Sequence, residues 1–209
     1  MQKSAKFSAD IGSCLSRGWA LYKTQWPTLT AATFLMGIIM AIVGSIPFAG
    51  LLVAGPLLGG LYILIIKIDR GEAFTFSNYF DAFQLFLPLL LATILTGLLI
   101  FCGTLLFILP GIYLTIAYAF TTLNIVDGGL DFWPAMEKSR TDITAHFGDY
   151  FLLAVVMFLI VMVSAIPFGL GVCFTLPICL AAQYCFYKDM NAFYADGTGK
   201  APEDIGISS

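Results

Sequence analysis

Charge is what this chain is short of. Asp, Glu, Lys and Arg make up 11% of its 209 residues, against 59% hydrophobic residues, whereas an ordinary soluble domain carries about 25% charged residues. A soluble fold of this length could bury a core, but it could not cover itself with so little charge. The composition therefore belongs to the membrane class. The net charge of −3 is weak and offers no basic surface for a nucleic acid.

The shortage is also uneven. Three windows, Thr24–Ile66, Ala82–Val126 and Tyr150–Tyr187, hold no Asp, Glu, Lys, Arg or His over 43, 45 and 38 residues. One membrane-spanning helix needs about 20 apolar residues, so each window is two helices long.

Other absences narrow the chemistry. There is one histidine, His146, and no HExxH, GxGxxG or P-loop motif, which leaves no signature for a zinc, dinucleotide or nucleotide site. The five cysteines (Cys14, Cys102, Cys173, Cys179, Cys185) form no CxxC pair and read as small hydrophobes. No metal or cofactor is expected. Residues 1–26 carry Lys3, Lys6, Asp10, Arg17 and Lys23 and lack the apolar core and cleavage site of a signal peptide.

What is present is a pattern of hairpins. Turns fall at IPFAGL (Ile46–Leu51), near CGTLLFILPG (Cys102–Gly111), where Pro110 can open a helix, and at IPFGLG (Ile166–Gly171). The expected fold is all-α, with six transmembrane helices in three hairpins at about 27–67, 84–126 and 150–187, and a loose cytoplasmic tail from 190 to 209. All ten Lys and Arg lie in the N-terminal segment, the two long connections and the tail. The positive-inside rule makes that side cytoplasmic, both termini included. WPTLTAAT (Trp26–Thr33) is similar to LPLLLAT (Leu87–Thr93), and SIPFAG (Ser45–Gly50) to AIPFGL (Ala165–Leu170), which suggests a three-fold repeat of roughly 61 residues.

Each unit begins with an amphipathic segment expected to lie in the membrane interface, at about 7–25, 76–83 and 134–147. The stripes are Phe7, Ile11, Leu15, Trp19, Tyr22 and Trp26, then Phe76, Phe80 and Phe83 after a cap at Ser77, then Phe132, Met136, Ile143 and Phe147. Lys138 and Asp142 have the spacing of a surface ion pair. On this view the charged stretch Val126–Tyr150, with Asp127, Asp131, Glu137, Asp142, Asp149 and His146, is the wet face of such a helix. An enzyme would need Asp127 or Asp131 beside His146.

Gly55 and Gly59, followed by Gly60, allow close helix approach within or between protomers. Pro56 and Pro177 should kink the second helices of hairpins one and three. The spans contain no ionisable Asp, Glu, Lys, Arg or His, which disfavours a proton-coupled carrier. If the protein is a carrier for a neutral or amphipathic solute, Tyr113, Tyr118, Asn124 and Gln183 are the groups to line its cavity.

The run LPGIYLTIAYAFTTLNIVDGGLDFWPAMEKSR (Leu109–Arg140) resembles a group of uncharacterised bacterial polytopic inner-membrane proteins. The group comprises the YciC-like proteins and the membrane domain fused to some glycerophosphodiester phosphodiesterases. The resemblance is clearest from about Leu109 to Phe158. It implies a helical bundle in the bacterial inner membrane and brings no catalytic residue. The expected function is non-enzymatic, in membrane organisation, lipid handling or partner docking through the cytoplasmic face. Membrane lipids, a second copy or other membrane proteins are the expected partners.

Overall fold

The computed structural model describes residues 10–45, 49–166 and 171–195. Among them every regular element is helical: α1 (Ile11–Thr24), α2 (Trp26–Val43), α3 (Ala49–Arg70), a 3-10 helix η1 (Phe76–Leu85), α4 (Phe86–Leu106), α5 (Ile108–Ala117), α6 (Thr121–Val126), α7 (Phe132–Ala145), α8 (Phe147–Ala165) and α9 (Val172–Ala195). Phe7, Lys3, Lys6, most of the first and third turns and residues 196–209 lie outside the described residues. The chain from Met190 to Ala195, expected as tail, continues α9, and Met190 is buried.

Five helical segments are long and apolar enough to cross a membrane: Trp26–Val43, Ala49–Arg70, Phe76–Leu106, Ile108–Val126 and Phe147–Ala165. α9 has the length, but Gln183 at its middle and Lys188, Asp189 and Asn191 in its C-terminal half make it less apolar. The middle break falls at Phe107, whose extended backbone separates α4 from α5. Pro56 and Pro177 sit inside unbroken helices, both buried.

The long helices pack in a closed ring, α2 on α3, α3 on α4, α4 on α5, α5 on α8, α8 on α9 and α9 on α2, with α3 also touching α6 and α9. Burial is confined to one part of each helix. It reaches Leu29, Ala32 and Thr33 in α2, and residues from Gly55 to Ile68 in α3. The rest presents large apolar side chains outward, Ile38 and Ile42, Leu98 and Phe101, Phe158 and Val163 among them. Around the α4–α5 break, Leu105, Leu106, Phe107, Ile108 and Leu109 are 71–79% exposed. Water would penalise such a surface, while lipid tails would not.

The three short helices are not surface floats. α1 packs on α9, η1 on α3 and α7 on α6. Each is followed by a break of similar backbone conformation, at Gln25 (φ −143°, ψ 45°), Leu85 (−97°, 25°) and His146 (−123°, 32°). The breaks are 60 and 61 residues apart. Buried positions share that spacing: Tyr22, Ala82 and Ile143, then Leu29, Leu89 and Tyr150, then Ala32, Ala92 and Leu153.

The stripes read from sequence are divided between the inside of the fold and its surroundings. α1 buries Cys14, Gly18 and Tyr22 while Trp19 and Trp26 are 45% and 54% exposed. η1 buries Tyr79 and Ala82 and turns Phe76, Phe80 and Phe83 outward. Its first turn is held by Asn78, whose Oδ1 accepts from Thr75 N at 2.8 Å, not by Ser77. α7 buries Ala135, Met136, Ser139, Asp142 and Ile143. Small or polar residues let these helices approach their partners closely, and the large aromatics are left for the surroundings.

Candidate functional site

The helix ends converge on a charged collar. Arg17 in α1 grips Asp189 in α9, with Nη1 2.9 Å from Oδ1 and Nη2 on Oδ2. Next along α9, Lys188 Nζ lies 2.6 Å from Asp69 Oδ2 at the end of α3, an oxygen that also accepts from Tyr184 OH at 3.2 Å. Arg70 follows Asp69 and reaches Asp127 Oδ1, just after α6, at 2.5 Å. Lys138 in α7 donates to Asp142 Oδ2 at 2.5 Å and to Asn191 Oδ1 of α9 at 3.2 Å. The collar thus ties α1, α3, α6, α7 and α9 together. Half-exposed pairs such as Arg17–Asp189 contribute about 1 kcal/mol or less each, so the collar fixes register more than it adds stability. The carboxylate of Asp189 raises the Arg17 pKa, and the Arg140 guanidinium lowers that of Glu137.

Lys67 and Arg140 pair with Glu72 and Glu137. Among the described residues only Lys23 is a cation without a carboxylate; its Nζ stands 5.1 Å from the centroid of the Trp19 ring.

The residues proposed as cavity lining do other work. Between α5 and α6 the helix is interrupted at Tyr118–Phe120, which frees backbone groups that need partners. Ser139 Oγ donates to Ala117 O at 2.8 Å and accepts from Phe120 N at 3.0 Å. Gln183 Nε2 donates to Ala119 O at 2.8 Å, joining α9 to the break. Asn124 Nδ2 donates to Ala135 O at 3.1 Å, joining α6 to α7. Tyr113 OH shares a 2.8 Å hydrogen bond with Thr144 Oγ1 of α7. Tyr118 caps α5. Beside the break, the Phe120 ring meets Tyr150, Tyr187 and Phe186 with centroids 4.8, 5.6 and 6.0 Å away. The centre is an aromatic plug.

Gly55, Gly59 and Gly60 lie against η1 and α4 of the same chain. A Cβ on Gly55 would stand 2.7 Å from Leu89 O, and one on Gly60 would overlap the Tyr79 carbonyl.

The candidate catalytic groups each have a separate structural partner. Asp127 holds Arg70. Asp131 caps α7, its Oδ1 accepting from Phe132 N at 2.8 Å. His146 Nε2 is 2.9 Å from Tyr194 OH. Lys138 and Asp142 do pair, but Asp142 is only 3% exposed, so the pair is inside the fold. Among the described residues no group of three or more His, Cys, Asp or Glu is placed to hold a metal.

Burial lowers the His146 pKa, against the opposing pull of Asp149 and Asp142. A histidine depressed in the fold is protonated first in the unfolded chain, so stability falls as pH drops through the ordinary value of about 6.5. The unfolding temperature in detergent should therefore decrease from pH 7.5 to pH 5.5, and His146→Gln should flatten part of that decrease.

A groove of about 420 Å³ opens on the outside of the fold, lined by Trp26, Pro27, Thr30, Ala31, Phe34, Cys173 and Phe174. Its one hydroxyl, on Thr30, is engaged by Tyr22 OH at 2.8 Å.

Sequence reasoning missed Ser139, and the pairing of Arg17, Asp69 and Arg70. A serine on the buried side of α7, one turn from Asp142, was the available signal for the first. The collar partners are up to 172 residues apart and leave no local pattern.

No protein-family model matches this chain, and no curated protein or solved structure matches it.

Proposed function

We propose that this chain is a non-enzymatic integral protein of the bacterial inner membrane. It has six spans in three hairpins, arranged as a three-fold repeat, with both termini in the cytoplasm. It acts in membrane organisation or lipid handling and docks partners through the collar face. One observation carries this reading: polar side chains inside the fold are spent on joints between helices, while the hairpins expose apolar surface. Ser139 and Gln183 repair the α5–α6 break, Asn124 joins α6 to α7, and the plug of Phe120, Tyr150 and Phe186 fills the space beside the break. The shared 60- and 61-residue spacing of helix breaks and buried positions supports the repeat, with α9 as the sixth span. The bacterial assignment rests on the resemblance over Leu109–Phe158.

Orientation is tested by fusions. Green fluorescent protein after Ser209 should fluoresce, and alkaline phosphatase at the same point should be inactive. Phosphatase fused after Ser45 should be active. An active phosphatase at Ser209 would overturn the orientation.

A second reading, a carrier for a neutral solute, is favoured by a different observation. Asn124 Oδ1, Thr121 Oγ1 and Tyr79 OH are buried without a hydrogen-bond partner, and buried polar atoms usually have one. Glycerol flux into reconstituted vesicles, above that of protein-free vesicles, separates the two readings.

A further inference from the structure

The geometry points to a site for one anionic phospholipid, with an acyl chain in the Trp26–Phe174 groove and its phosphate on Lys23. This inference rests on the membrane reading above and names the lipid class that the protein would hold.

The groove is apolar on every side. Its walls come from Trp26, Ala31 and Phe34 of α2 and from Phe174 of α9. The one hydroxyl, on Thr30, already shares a hydrogen bond with Tyr22. At about 420 Å³ the groove falls in the ordinary range of ligand pockets, roughly 300–1,000 Å³. It opens on the side where α2 turns Phe34, Ile38 and Ile42 outward, the surface that meets acyl chains in a membrane. A polar solute would find few groups there to bond.

The headgroup end is set by the break at Gln25. Lys23 lies in the last turn of α1, one turn before Trp26 and across that break. Every other described cation is neutralised by a carboxylate; Lys23 has only the Trp19 ring. An ammonium left without a carboxylate beside the exposed Trp19 ring, one turn before the exposed Trp26 where a span begins, is placed for a phosphate. Tryptophan favours headgroup depth, and a lysine binds phosphate as a compact point charge. The equivalent breaks at Leu85 and His146 carry no cation three residues before the span, where Phe83 and Thr144 stand in sequence.

The test uses the full chain in detergent, equilibrated with equal amounts of dioleoylphosphatidylglycerol and dioleoylphosphatidylcholine and read by native mass spectrometry. The wild type should retain one lipid, with phosphatidylglycerol preferred about five-fold, as expected for one lysine near an anionic surface. Lys23→Gln should retain one lipid without preference. Ala31→Trp, at an exposed position that fills the groove, should retain neither, while Ile38→Trp, on the same helix outside it, should behave as wild type. Retention unchanged in Ala31→Trp would overturn the site, as would an undiminished preference in Lys23→Gln or a wild type that holds no lipid. Failure of the membrane reading shows differently: the chain would be released from membranes by alkaline carbonate.

Discussion

Replacing Gly60 with alanine should destabilise the protein by about 3 kcal/mol or more, whereas the same change at Gly59 should cost less than about 1 kcal/mol. The two residues are neighbours on α3, and hydropathy does not distinguish them. Their surroundings do. A Cβ on Gly60 meets the Tyr79 carbonyl oxygen and the Tyr79 ring, the ring at 2.8 Å, where η1 crosses α3. Backbone cannot give way without moving the whole of η1. A Cβ on Gly59 meets the end of the Leu89 side chain at 3.0 Å and methyl groups of Ala82 and Val126 at 3.4 Å. A side-chain end can rotate by the few tenths of an ångström required. Thermal unfolding of Gly59→Ala and Gly60→Ala in the same detergent checks the contrast. Equal loss in both would mean that η1 does not seat on α3 as described.

Ser139→Ala should cost about 2–4 kcal/mol, a large effect for the loss of one oxygen. The hydroxyl is fully buried and serves two backbone groups at the α5–α6 break, Ala117 O and Phe120 N. Neither has water to turn to, and a buried backbone group left without a partner costs about 1–3 kcal/mol. Ser164→Ala is the control, since Ser164 Oγ only returns to Ile160 O within α8 at 2.7 Å; it should change stability by less than about 0.5 kcal/mol. If both alanine variants unfold together, the break is held by something other than Ser139.

These two effects mark the boundary of what the sequence made legible. Helix content and the apolar windows were readable because hydrocarbon admits few backbone solutions, and helices satisfy their own hydrogen bonds. A spacing of roughly 61 residues was read from Trp26–Thr33 and Leu87–Thr93, and the buried pairs Leu29/Leu89 and Ala32/Ala92 lie 60 residues apart. Which residues would seat the short helices on their partners was not. In water the large apolar face of an amphipathic helix is the one that gets buried. Here Trp19, Phe80 and Phe83 stay outside, and Cys14, Gly18, Ala82 and Ser139 go in, because large side chains gain little by leaving lipid for protein. The charged stretch at Val126–Tyr150 was located but not decoded. Its residues find partners in α3 and α9, Asp127 with Arg70 and His146 with Tyr194, and such pairings are set by the fold rather than by spacing.

The seating of α1 on α9 bears on how the protein is made. Gly18 fits against the Ala182 backbone, where a Cβ would come within 2.6 Å of the amide nitrogen, and 164 residues separate the two. At about 5–20 residues per second, a ribosome needs roughly 8–30 s to deliver Ala182 after Gly18. During that interval α1 has been synthesised and its docking surface has not. Its own exposed aromatic, Trp19, and the exposed Trp26 that opens α2 give it a place to wait on the bilayer. α1 is thus translated long before its seat exists, and its docking waits until α9 has been made.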